Sequence, residues 1–574
     1  MSVNGTDGHF DAIVVGSGFG GSVTAYRLAE AGKRVCLLER GRAYPPGSFT
    51  RSPYKARESF WDPSRGLHGM YNYWSFRGID ALVSAGLGGG SLIYANVFLR
   101  KDERWFVDED VTDGGYESWP VTRADLDPHY DRVEKMIRLQ RYPFEHEPYA
   151  STPKTLAFKH AAEQNGLEWF LPPLAVTFGN EGRPPVPGEK IVEEVRNLHD
   201  RDRVTCQLCG ECDVGCNFGA KNTLDYNYLT HAAHQGADIR TLCDVRALEP
   251  LEGGGYGVSY AALDDDAPAN ANGRPAQLHR LTCDHLILCA GTLGTTELLL
   301  RNRSAFPRIS RRLGTRFCGN GDLLTLAVNC GDTVDGVRVP RVVDPGYGPV
   351  ITSTARMPDA LDGGEGRGFY LQDAGYPQHL AWILHVIAAP KTLWRWRSHG
   401  AYLVRNWLKG SPDTDVTGHI ADLLESAELS AGGLPLLGMG RDVPDGRMYL
   451  HNGRLDLDWK RAHSQEYFAR LRTTSRAFAH VLGGRFADNP IWFLRRVITV
   501  HPLGGAPMGR GPGEGVVDPY GNVFGYPGLH IADGSVMPGP VGPNPSFTIA
   551  ALADRFADHM LEGGALAREE EIAA

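Results

Sequence analysis

Residues 11–42, DAIVVGSGFGGSVTAYRLAEAGKRVCLLERGR, leave a chain little choice of fold. A short β-branched run, 12–15, meets the turn Gly16-Ser17-Gly18-Phe19-Gly20-Gly21. A helical pattern follows to Ala31, Gly32 ends it, and a second strand runs from Arg34 to Leu38. Strand, glycine turn, helix and strand in that order make a βαβ unit built for a dinucleotide. Gly16 permits the tight turn, Gly18 lets the backbone approach a pyrophosphate, and Gly21 lets the helix pack against the strand. Glu39 stands at the end of the second strand, 23 residues after Gly16. A carboxylate there accepts hydrogen bonds from ribose hydroxyls and repels a 2′-phosphate, which suits FAD or NAD.

Two further segments bear on that choice. Residues 85–96, AGLGGGSLIYAN, are rich in glycine and carry the small polar Ser91, which suits a loop lying flat against a planar or phosphate-bearing ligand. Residues 286–300, LILCAGTLGTTELLL, read as a buried strand, a glycine turn at Gly291 and a helix start. Near the C-terminus stand His501-Pro-Leu-Gly-Gly, Tyr520-Gly-Asn-Val with Gly525-Tyr, Ile531-Ala-Asp533-Gly534-Ser, and Asn544-Pro545 running into a helix. His501 and Asn544 each precede a proline, whose ring forces the preceding residue into extended backbone, so both side chains are aimed from stiff supports. An imidazole can take the proton of an alcohol while its carbon gives up hydride, and a carboxamide can hold the same oxygen in reach.

Together these segments resemble the glucose-methanol-choline (GMC) oxidoreductases, and most closely a cholesterol-oxidase-like branch that also carries a cysteine-rich insert. The resemblance implies an α/β fold in which a Rossmann-type FAD-binding domain is interwoven with an α+β substrate domain built on an antiparallel sheet. It assigns 8–110, 200–315 and 492–570 to the FAD-binding domain, with an insert at 204–218, and 111–199 and 316–491 to the substrate domain. It further implies FAD contacts from Gly16, Gly18, Phe19, Gly20, Gly21, Glu39, Gly89, Gly90, Ser91, Asn96, Val245, Gly291, Asp533, Gly534 and Pro545. His501 would be the base and Asn544 its partner in catalysis. The expected activity is oxidation of a lipophilic secondary alcohol such as a 3β-hydroxysteroid, with electrons passing to oxygen or to an outside protein or quinone. Two rivals keep the flavin: a dehydrogenase of a sugar or other polar alcohol, and a lyase that uses histidine only as acid or base.

A net charge of −9 argues against nucleic acid as a partner. The start, MSVNGTDGHFDA, has no basic n-region, and no apolar run has bilayer-spanning length, so a cytoplasmic enzyme with reduced thiols is expected. Residues 380–410 hold four tryptophans, five Lys or Arg and no acid. That composition fits a peripheral membrane contact, a lid over an apolar pocket, or a substrate-domain helix with snorkelling arginines.

Four of the ten cysteines, Cys206, Cys209, Cys212 and Cys216, fall within eleven residues. Their C-x2-C-x2-C-x3-C spacing matches the bacterial ferredoxin run, with Asn217 in place of the following proline. Three readings stand: an iron-sulfur cluster ([4Fe-4S], or [3Fe-4S] if Cys216 does not reach), four plain thiols, or zinc. Zinc is the least suited, because two knuckles normally need a longer spacer than the one between Cys209 and Cys212.

Overall fold

A computed structural model of the chain describes residues 8–111, 115–263, 277–376 and 432–562. The Trp-rich stretch 380–410 lies outside the described residues. The βαβ unit forms as read: strand His9–Val15, helix Phe19–Glu30 and strand Val35–Leu38. Val35–Leu38 is buried along its whole length, as a strand covered on both faces must be.

Around this unit lies a seven-stranded sheet. Asp238–Arg240, Val35–Leu38, His9–Val15, Leu278–Leu288 and Leu529–Ile531 run parallel in that order. Leu278–Leu288 is long enough to take two neighbours on one edge. Its C-terminal end pairs with Leu529–Ile531, and its N-terminal part pairs antiparallel with Tyr256–Ala262, which continues the hairpin begun by Cys243–Pro250. Three distant parts of the chain thus meet in one sheet, with the ends of the parallel strands opening onto the glycine turns.

The second sheet has six strands, all antiparallel: Trp169–Phe170, Thr354–Met357, Phe369–Asp373, Leu434–Gly440, Leu323–Val328 and Arg485–Asp488. Leu323–Val328 alternates buried and half-buried residues, as a strand with one face in a core does. Helix Gln465–Val481 covers that face, burying Tyr467, Phe468, Leu471 and Phe478 in a hydrophobic core separate from that of the parallel sheet. A small sheet of Val497–Thr499, Ile79–Ser84 and Tyr71–Ser75 carries the chain toward His501. No helix among the described residues is long and apolar enough to cross a membrane.

Candidate active site

The glycines of the first turn divide into two kinds. A Cβ on Gly16, whose φ is +101°, would lie 2.3 Å from the Cys289 carbonyl oxygen; on Gly20, 1.5 Å from the Ala532 oxygen; on Gly21, 1.9 Å from the Gly16 oxygen. These three are demanded by packing of the protein on itself. A Cβ on Gly18 would meet nothing within 4 Å, and the same holds at Gly90 and Gly291. Bare backbone that faces open space is what a diphosphate needs. Gly89 presses against Gly18, where a Cβ would come within 2.6 Å of the Gly18 Cα.

Side chains lock these turns together. The Ser17 hydroxyl donates to Glu39 (2.6 Å) and accepts from the Gly88 amide (3.0 Å), while the Glu39 carboxylate also takes the amides of Ser17 and Gly41. Glu39 is thereby fixed at the strand end, buried but with lone pairs left for a ribose. Val245 lies on the strand whose first amide, Cys243, donates to the Glu39 carbonyl at 2.8 Å. The Ser91 hydroxyl donates to Gly88 O (2.7 Å) and accepts from the Leu224 amide (3.1 Å). Phe19 packs edge-on against Tyr94 and Phe98. Across the cleft, Asp533 accepts from the Gly291 amide (2.9 Å), the Thr295 hydroxyl (2.5 Å) and the Ser535 amide (2.8 Å), and its burial raises its carboxyl above the usual range. Asp533 therefore welds two turns together. A Cβ on Gly534 would lie 2.9 Å from the Thr292 hydroxyl, and the Pro545 carbonyl accepts from Ile549 to start helix Ser546–Glu562. The residues present fit an FAD diphosphate and ribose.

His501 follows the strand Val497–Thr499, and its Nδ1 lies 2.8 Å from Oδ1 of Asp322. The other Asp322 oxygen accepts from the Val500 amide (2.9 Å) and lies 3.0 Å from the Thr499 hydroxyl. A carboxylate held this way accepts a hydrogen bond from Nδ1–H and leaves the lone pair of Nε2 free. The Asn544 carboxamide oxygen accepts from Gln372 Nε2 at 3.0 Å, which turns its NH2 group outward as a donor. One turn braces both. Asn320 donates to Pro543 O (3.0 Å) and accepts from the Gly542 amide (2.8 Å), just ahead of Asn544, while Asp322 holds His501. That turn is itself pinned by Asp442, which accepts from the Gly319 amide at 2.9 Å. The His501 segment is also tied to the Gly291 and Gly534 turns, through Thr292 to Pro502 O (2.7 Å) and Gly504 N to Gly534 O (3.0 Å).

A family model described as NAD(P)-binding Rossmann-like domain matches residues 14–75, and two described as GMC oxidoreductase match 193–318 and 456–553. Over 96% of its length, and 90% of the relative's, the chain is 30% identical to a cholesterol oxidase of Mycobacterium tuberculosis. The chain belongs to the GMC oxidoreductase family. As a GMC oxidoreductase it is an FAD-dependent enzyme acting on CH–OH donors. It is also 27% identical to a cholesterol oxidase of Acinetobacter baumannii over 98% of this chain and 97% of that one. A crystal structure of pyridoxine 4-oxidase from Mesorbium loti shares the fold at a TM-score of 0.54, with 18% identity over 96% of this chain and 98% of that one.

Asp322, Asn320, Gln372 and Thr292 were not singled out by sequence reasoning. In the linear text Gly319-Asn-Gly-Asp322 is only a turn-like string, and its partners lie 179 and 222 residues further on. Asn96 has a left-handed φ of 70° and is fully buried; its carboxamide finds no oxygen or nitrogen partner and sits beside the Cys212 thiol.

The four clustered cysteines of this GMC oxidoreductase line one cavity of about 20 Å³ together with Lys221, Gly348 and Pro349. None of the ten cysteines forms a disulfide. Burial pushes the Cys209 thiol up to about 12 and raises Cys206 and Cys212 as well, which makes them poor nucleophiles at neutral pH. A separate group, His129, Asp554 and Asp558, brings ligand-type atoms close together, but Arg27 and Arg132 already pair with both carboxylates. This is a clasp joining the helices Phe19–Glu30, Arg123–Ile137 and Ser546–Glu562.

Proposed function

We propose that this enzyme oxidises a lipophilic secondary alcohol of the sterol 3-hydroxyl type, with His501 as base and Asn544 holding the reacting oxygen. The observation that carries the proposal is the brace from a single buried turn to both side chains: Asp322 to His501 and Asn320 to the segment before Asn544. The FAD supplies the hydride acceptor when bound. Asn544, its oxygen occupied by Gln372, donates its NH2 to the alcohol oxygen and holds it in place. His501 Nε2 takes the hydroxyl proton as the carbon–hydrogen bond weakens. The positive charge that develops on the ring is met by the Asp322 carboxylate, held against Nδ1 by its contacts with the Thr499 hydroxyl and the Val500 amide. Such preorganisation avoids reorienting the base at the moment of reaction.

The choice of a sterol-type alcohol is supported by the two cholesterol oxidases to which the chain is similar along nearly its whole length. The division of labour proposed is that segments 8–110, 200–315 and 492–570 hold FAD, and that 111–199 and 316–491 shape the substrate side. Electrons leave for oxygen or for an external acceptor. Anaerobic mixing with a panel of sterols, aliphatic alcohols and sugars, followed by flavin absorbance, tests the reading. Bleaching by sterols at least tenfold faster than by sugars is expected; bleaching by sugars alone assigns the enzyme to polar alcohols, and turnover with the flavin left oxidised makes it a lyase.

A further inference from the structure

We propose that Cys206, Cys209, Cys212 and Cys216 ligate one iron-sulfur cluster, placed against the loop 92–96 so that electrons from the flavin side leave through it. The metal site stands on its own geometry; only the source of the electrons rests on the proposed alcohol oxidation.

The loop 206–217 is built and clamped. The Arg51 guanidinium bonds to Glu211, to Val214 O and to Gly215 O, Tyr71 donates to Asp213 O, and Asn217 exchanges two hydrogen bonds with the Phe49 backbone. Leu208 and Gly210 have left-handed backbone, with φ of 58° and 67°. A Cβ on Gly210 would strike the Gly346 oxygen at 2.5 Å. These turns wrap the chain around the sulfurs, and the amides of Leu208 and Glu211 face the thiols of Cys206 and Cys209. Amide donors to cysteine sulfur are among the features that tune iron-sulfur clusters.

A single tetrahedral ion is the poorer fit. Zinc with four thiolates at about 2.3 Å draws the sulfurs to within about 4 Å of one another. No three of these sulfurs lie within 4.8 Å of each other. A multi-iron core separates its thiolates more widely, and the C-x2-C-x2-C-x3-C spacing is that of a ferredoxin run and leaves too short a spacer for two zinc knuckles. The free cavity, about 20 Å³, has room for one water, so loading turns the thiol side chains outward about their χ1 bonds.

The site also touches the flavin side. Lys221 Nζ donates both to Leu92 O (3.0 Å) and to Cys212 O (2.8 Å), and it lies over the Tyr94 ring at 4.6 Å. The Asn96 carboxamide, which has no oxygen or nitrogen partner, lies from the same loop against the Cys212 thiol. The loop 92–96 is therefore shared between the FAD cradle and the cysteines. Each alcohol oxidised leaves two electrons and a proton on the flavin. The electrons depart singly to two equivalents of a one-electron carrier protein, and the proton goes to solvent.

The test is iron, zinc and acid-labile sulfide analysis of anaerobically purified holoenzyme, repeated after anaerobic reconstitution with ferrous iron and sulfide, with electron paramagnetic resonance of the dithionite-reduced protein. About three to four irons with matching sulfide per FAD are expected. Cys209→Ser and Cys212→Ser should lose at least half of the iron and the resonance signal, keep FAD and substrate bleaching of the flavin, and pass electrons to ferricenium at least tenfold more slowly. Iron-free protein after reconstitution, one zinc per chain, or a Cys209→Ser variant with full iron would overturn the proposal. Iron present with no bleaching by any alcohol would instead sink the proposed alcohol oxidation and leave the metal site standing.

Discussion

At the scale of single residues, the proposed base chemistry turns on which ring nitrogen of His501 carries the proton. Asp322 settles this because both its oxygens are committed, one to Nδ1 and the other to the Val500 amide and the Thr499 hydroxyl. Asp322→Asn keeps the shape, but its NH2 must then face either Nδ1–H or the Val500 amide. We expect flavin reduction by substrate to slow about 100-fold with FAD content unchanged; stopped-flow rates within twofold of the parent would deny Asp322 its part. Gly18 allows a second residue-level prediction. Because a Cβ there meets no protein atom, Gly18→Ala should fold with an unchanged apoprotein melting temperature and retain FAD about 10-fold less tightly, read from the 450 nm to 280 nm ratio after dialysis. Equal FAD retention would mean that the diphosphate does not pass over Gly18.

At the scale of elements, the turn 319–322 reaches two separate segments, one following the strand Val497–Thr499 and one leading into the helix Ser546–Glu562. Its own anchor, Asp442, is wholly buried. Burial, reinforced by the charge of Asp322 and opposed by the Gly319 and Gly321 amides, pushes its carboxyl up to about 7. An unfolded aspartate titrates near about 3.9, so between these values the folded chain holds the extra proton, and stability falls as pH rises from about 4 to 7. Asp442→Asn keeps an oxygen for the Gly319 amide and removes this titration. The melting temperature of Asp442→Asn minus that of the parent should therefore climb across that window and level off above it; a difference independent of pH would contradict the burial argument. Elements of this kind are hard to foresee. The first βαβ unit was legible because its strand, glycine turn, helix and strand-ending Glu39 all fall within about thirty residues, a range in which turn chemistry and periodicity are local, whereas the packing of Gly16 on Cys289 and of Gly20 on Ala532 is not. Asn320, Asp322 and Gln372 act on residues more than 170 positions away, and nothing in their own surroundings announces it. His501 and Asn544 could be picked out only because a proline stiffens each and a family pattern surrounds them.

At the scale of the whole molecule, two sheets with separate cores meet along the line where the flavin-side turns face Phe369–Asp373, the strand that supplies Gln372. The parallel sheet could be foreseen from its glycine turns and continuous apolar strands. The order of the antiparallel sheet could not, since strands such as Leu434–Gly440 (LPLLGMG) carry a proline and glycines that read as a loop. The function proposed for the whole molecule rests on His501 as the base of an FAD-dependent alcohol oxidation. Its most direct test is anaerobic stopped-flow mixing of the FAD-loaded protein and of His501→Ala with a 3β-hydroxysteroid, following absorbance at 450 nm. Bleaching by the parent is expected, with a rate about 10²- to 10⁴-fold lower in the variant with FAD still bound; equal rates in the two proteins would deny His501 the role of base.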